Sequence, residues 1–165
     1  MSGRQLMSSK DDALCCMALL ETVLADAYER AASSVEDPAL KATLEFISAD
    51  SAKHARVLEA LGSGTHCARE QCRKLMGVAW ESEVEAAERV SDFEALMTSY
   101  DEMNRLECAA GEEYSMPAYI AAEELRGTES RLVSELLRMI SEDEGRHARL
   151  LSHLRKELGH DEGDT

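Results

Sequence analysis

The chain has 165 residues, 44% of them hydrophobic, and a formal net charge of −15, so it can fill one core, and it excludes nucleic acid and anionic membrane surfaces as partners while favouring cations. Two prolines, few aromatics and no alternating Val/Ile-rich run exclude a sheet protein and predict an all-α fold in a single domain over 1–165. The N-terminal "MSGRQLMSSK" lacks the apolar centre of a signal peptide, and "ALCCMALL" is too short to span a bilayer.

The first helix is expected over about 11–33, entered from a Ser-Ser-Lys-Asp-Asp stretch that offers a cap and places acids in the first turn. Asp37-Pro38 then reads as an N-cap followed by proline at the first helical position, and the second helix ends near "LGSG" at 61–64. Residues 62–90 form a long crossover, partly helical through "REQCRKLMGVAWESEVEAAERV". Ser91 with Glu94 matches a capping box, which starts a third helix that runs to about 125 and is bent at Pro117. After the break "RGT" at 126–128, a fourth helix runs to about 158, and 159–165 is a polar tail. Two antiparallel hairpins joined by a crossover make a four-helix bundle, with its core over about 11–158.

The second and fourth helices repeat one another. "SADSAKHARVL" at 48–58 and "SEDEGRHARLL" at 141–151 agree in register on Ser, Asp, His, Ala, Arg and Leu. Core-facing positions, spaced alternately three and four apart, are Leu44, Ile47, Ser51, His54 and Leu58 in one, and Leu137, Ile140, Glu144, His147, Leu151 and Leu154 in the other. The first helix gives Met17, Leu20 or Glu21, Leu24, Tyr28 and Ala31; the third gives Tyr100, Met103, Glu107, Ala110 and Tyr114. Each of these contains a glutamate followed seven residues later by a tyrosine on the same face.

A glutamate facing an apolar core costs several kcal/mol unless it is paired, neutralised or bound to a cation. Glu21, Glu107 and Glu144 converge with His54 and His147, and no Lys or Arg lies in these seams. Carboxylate with imidazole is a ligand set for iron, manganese or zinc. Asp50 and Asp143, one turn before each histidine, are placed to accept the other ring N–H of a histidine on the neighbouring helix, with Lys53 and Arg146 able to hold the aspartates.

The pattern of one glutamate from each of two helices and Glu-x-x-His from the others resembles the ferritin-like superfamily of di-metal carboxylate proteins, most closely its rubrerythrin-like branch. "Asp143-Glu144-Gly145-Arg146-His147" is similar to that superfamily's ligand stretch. The resemblance implies Glu144 as a bridging ligand, Glu21, His54, Glu107 and His147 as further ligands, and Tyr28 and Tyr114 as neighbours of the site. It implies a di-iron oxidase or peroxidase that meets oxygen or peroxide, with a redox partner protein and a homodimeric state. The chain departs from the pattern at Ser51, where the resemblance would place a second bridging glutamate, so the expected site has two ions with one carboxylate bridge, or only one. The rival reading from a different class is a degenerate bundle, with a mononuclear site or no metal, that serves as a binding or structural module.

Five cysteines, Cys15, Cys16, Cys67, Cys72 and Cys108, form no framework of the kind small secreted domains use, which predicts reduced thiols in a cytoplasmic protein. "HCAREQC" lacks the Cys-x2-Cys spacing of a zinc ribbon or rubredoxin. Cys15, Cys16 and Cys108 are expected to pack against neighbouring helices.

Overall fold

The computed structural model describes residues 9–62, 66–113 and 128–158, with side chains for 11–62, 66–108 and 131–158. The described residues are helical, with no strand among them. α1 (Ser9–Ser33) and α2 (Pro38–Leu61) form the first hairpin. Asp37 caps α2 by accepting from the Leu40 N–H at 2.8 Å, with Pro38 at the first turn where its missing N–H is harmless. The two helices are antiparallel: Ser48 Oγ donates to the Ala25 carbonyl midway along, and Gly62 closes α2 against the start of α1. A Cβ on Gly62 would lie 3.3 Å from Leu14 Cβ, so the close approach favours glycine.

The crossover contains α3 (Arg69–Met76) and α4 (Val78–Glu88). Gly77, at φ 89°, separates them in a conformation that a side chain would strain. Both helices pack on α1. Trp80 is buried and its indole N–H donates to the Cys16 carbonyl at 3.3 Å. Arg30 reaches from the end of α1 to the carbonyls of Ala87 and Val90.

The expected third helix begins differently. Its cap is Asp92, which accepts from the Ala95 N–H at 2.8 Å, and not Ser91. An aspartate one residue later offers the same side-chain acceptor, so the start moves to α5 (Phe93–Thr98). The helix then breaks at Ser99, after Thr98 has turned its hydroxyl back onto the Glu94 carbonyl, and resumes as α6 (Tyr100–Glu113). The expected bend at Pro117 and the stretch to 125 lie outside the described residues.

α7 (Thr128–Glu157) pairs with α6. Arg155 near its end donates to Asp101 near the start of α6 at 3.0 Å and covers the Tyr100 ring at 4.4 Å, so this hairpin is antiparallel too. α7 also packs on α2.

Two apolar clusters form the core. One gathers Leu24, Tyr28, Leu44, Ile47, Met103, Leu151 and Leu154 with the crossover residues Trp80 and Val84; the other holds Leu14, Met17, Leu58, Val133, Leu137 and Ile140. Along α1, α2 and α7 the chain passes from one cluster to the other through polar positions: Glu21 on α1, Ser51 and His54 on α2, Glu144 and His147 on α7. The candidate site is therefore a polar band between two apolar layers.

The cysteines overturn the reduced-thiol expectation. Disulfides join Cys15 to Cys67 and Cys16 to Cys72, tying α1 to the start of α3. The helix contact brings adjacent cysteines on α1 against a pair spaced one to two turns apart, an arrangement that linear spacing does not display. Cys108, expected to pack, is exposed. The case for a cytoplasmic setting that rested on reduced thiols falls with this correction. No described helix is long and apolar enough to cross a membrane.

Candidate metal centre

Among the described residues, Glu21, Ser51, His54, Glu107, Glu144 and His147 are the only fully buried polar side chains, each 0% exposed. These are the five expected ligands and the serine that departs from the pattern. Their positions follow from the three-and-four spacing, which turns each of them onto the same stripe as its buried leucine, isoleucine or methionine neighbours.

Two groups of three can each hold a cation: Glu21, His54 and Glu144 in one, Glu107, Glu144 and His147 in the other, with ligand atoms within 4.8 Å of one another. Glu144 belongs to both. Its Oε1 lies 3.0 Å from His54 Nδ1, and its Oε2 lies 3.8 Å from His147 Nδ1. Glu21 Oε2 is 3.7 Å from His54 Nδ1, and Glu107 Oε2 is 3.2 Å from His147 Nδ1. The imidazole rings stack with centroids 5.9 Å apart.

The outer nitrogens face the aspartates across the helix pair. His54 Nε2 on α2 lies 3.0 Å from Asp143 Oδ2 on α7, and His147 Nε2 on α7 lies 3.3 Å from Asp50 Oδ2 on α2. Burial raises the carboxyl pKa of both aspartates, but hydrogen bonds to Lys53 and His147 at Asp50, and to His54 and Lys53 at Asp143, more than offset it, so both stay ionised acceptors. Lys53 donates to Asp50 at 2.7 Å and to Asp143 at 3.4 Å, and Arg146 donates to Asp143. An ionised acceptor at Nε2 holds a proton there and turns Nδ1 toward the inner carboxylates. Tyr28 donates its hydroxyl to Glu107 Oε1; burial and the Glu107 charge hold the phenol well above its ordinary pKa, so it remains a donor. Tyr114 lies outside the described residues.

The donor set fits a cation on two counts. Carboxylate with imidazole suits iron, manganese and zinc. Among the described residues the buried atoms are also under-satisfied: both Glu144 oxygens, His54 Nδ1 and Ser51 Oγ make no aligned hydrogen bond, although His54 Nδ1 and Glu144 Oε1 are only 3.0 Å apart. In the cation-free state the rings themselves supply counter-charge. Burial lowers the basicity of His54, but Glu144 and Glu21 outweigh it and lift the pKa to about 10; Glu107 and Glu144 likewise lift His147 to about 11. Glu107 is pushed up to about 8 by burial and by Glu144, against the pull of His147.

A third group, Cys16, Cys67 and Cys72, also has its sulfurs within 4.8 Å of one another, but all three are in disulfides and offer no thiolate. The three-and-four spacing anticipated that the two histidines and three acids are buried, and gave no sign of the disulfides. The chain matches no protein-family model, no curated protein and no solved structure.

Proposed function

We propose that the two hairpins form a ferritin-like, rubrerythrin-like four-helix bundle that binds two ions of iron or manganese in its polar band and reacts there with oxygen or peroxide. The observation that carries this reading is Glu144, a fully buried carboxylate with one oxygen 3.0 Å from His54 Nδ1 and the other 3.8 Å from His147 Nδ1. That is the disposition of a bridging ligand.

Glu21 with His54 would hold one ion, Glu107 with His147 the other, and Glu144 both. The bound metals would supply redox chemistry toward a small oxidant, with electrons from a partner protein. The chain's own side chains do the rest. Asp143 and Asp50 orient the rings, Tyr28 holds one oxygen of Glu107 and leaves the other for its metal, and the apolar layers on both sides keep bulk water from the carboxylates. Ser51 presents a short neutral hydroxyl to the band where the superfamily pattern has a carboxylate.

Elemental analysis of tag-free protein, loaded with Fe(II) or Mn(II) and desalted, tests this. Retention of two ions per chain is expected. One ion or fewer per chain for both iron and manganese refutes it.

One observation favours a second reading. Each imidazole already has a carboxylate beside both nitrogens, so the band can neutralise itself as a structural charge cluster. A chelator would then leave the melting temperature unchanged, whereas loss of a native-state ligand lowers it.

A further inference from the structure

The four cysteines at the α1–α3 contact lie apart from the carboxylate band. Cys16 and Cys72 are fully buried and Cys15 nearly so, while Cys67 is half-buried. Cys67 Sγ also lies 3.4 Å from Cys72 Sγ, a sulfur of the other disulfide. That gap exceeds a disulfide bond by about 1.4 Å, a displacement within reach of side-chain rotation.

The geometry points to a thiol–disulfide exchange relay, in which a dithiol reductant enters at Cys67 and one two-electron reduction releases both covalent ties between α1 and α3. The external thiolate attacks Cys67 Sγ and expels the Cys15 thiolate. Its second thiolate resolves the mixed disulfide, leaves as a cyclic or partner disulfide, and frees Cys67 as a thiolate. Cys67 then attacks Cys72 Sγ and expels Cys16. The dithiol has lost two electrons and two protons; Cys15 and Cys16 have gained them as thiols, and a Cys67–Cys72 disulfide has formed within the crossover.

Two features support this direction. Cys67 immediately precedes Ala68, the N-cap of α3, where the helix dipole favours the thiolate that must attack. Cys72 and Cys16 are shielded from any external thiol, so their bond is reached only through Cys67. The outcome is a released crossover and two adjacent thiols on α1, about 7.5 Å along the axis from Glu21.

The test is reduction of the full chain with one equivalent of dithiothreitol, acid quench, N-ethylmaleimide and tryptic mapping. The expected product carries two maleimides on peptide 11–30, which contains Cys15 and Cys16, with peptide 57–69 disulfide-linked to 70–73. Label on Cys15 and Cys67 with Cys16–Cys72 intact overturns the relay, as does a mixture of only untouched and fully reduced chains. Four free thiols before reduction overturn it as well. Cys15→Ser gives an independent check, because it frees Cys67 without any reductant: Cys16 should then become alkylated alongside Cys67. Alkylation of Cys67 alone contradicts the exchange.

Discussion

Glu144 is within 3.0 Å of one histidine and 3.8 Å of the other, whereas Ser51, also fully buried, meets no hydrogen-bond partner among the described residues. Ser51→Glu would add a second acid to the band, and the expected outcome is tighter binding of the second ion, read as a higher affinity in a competition titration. An unchanged affinity would show that the added carboxylate does not reach the second ion. Asp143→Asn removes the ionised acceptor from His54 Nε2, and metal affinity should fall about 10- to 100-fold in a competition titration while the fold is kept. At this scale the sequence was informative where periodicity governs: the matched "HAR" runs and the Glu–Tyr pairs share one helical face, so a single spacing argument located Glu21, His54, Glu107, Glu144 and His147. The cysteines follow no such rule. Four cysteines allow three pairings, and which one forms depends on how α3 lies on α1.

The helices show why some boundaries are readable and others are not. Asp37-Pro38 has one physical interpretation, a cap followed by a residue without an N–H, and α2 starts there. Ser91 and Asp92 are both good caps, so local chemistry does not choose between them; packing does, with the Phe93 N–H donating to Ser34 at the end of α1. The break at Ser99 was hidden for a related reason, since a threonine–serine pair is tolerated inside many helices. The crossover was legible as partly helical, and its anchor is Trp80. Trp80→Ala should cost about 3–5 kcal/mol through the cavity it leaves beneath α1, measured as a lowered urea midpoint. A loss below about 1 kcal/mol would mean that the crossover contributes little to the core.

Across the whole molecule, composition and charge predicted an all-helical chain suited to cations, and burial concentrates five ionisable groups in one band. Their protonation ties stability to pH. In the cation-free state His54 and His147 rise from an ordinary 6.5 to about 10 and about 11, so their contribution is complete below about pH 6.5 and is lost as pH rises through those values. Glu107, raised from 4.5 to about 8, acts in the same direction, weakening the fold as pH climbs from 4.5 to 8. The stability of metal-free protein, followed as its melting temperature, should therefore fall from pH 6 to pH 9, each group contributing at most about 1.4 kcal/mol of free energy per pH unit. Metal binding displaces the same protons, so affinity should rise over that range and the loaded protein should lose less. A pH-independent gap between the loaded and metal-free melting curves would contradict the linkage.

Anomalous diffraction from crystals of metal-loaded protein, collected on both sides of the iron or manganese absorption edge, addresses the bridging role of Glu144 directly. Two peaks are expected, one between Glu21 and His54 and one between Glu107 and His147, with an oxygen of Glu144 on each. A single peak bound by Glu144 through both oxygens, or no peak in the band, would contradict a carboxylate-bridged pair.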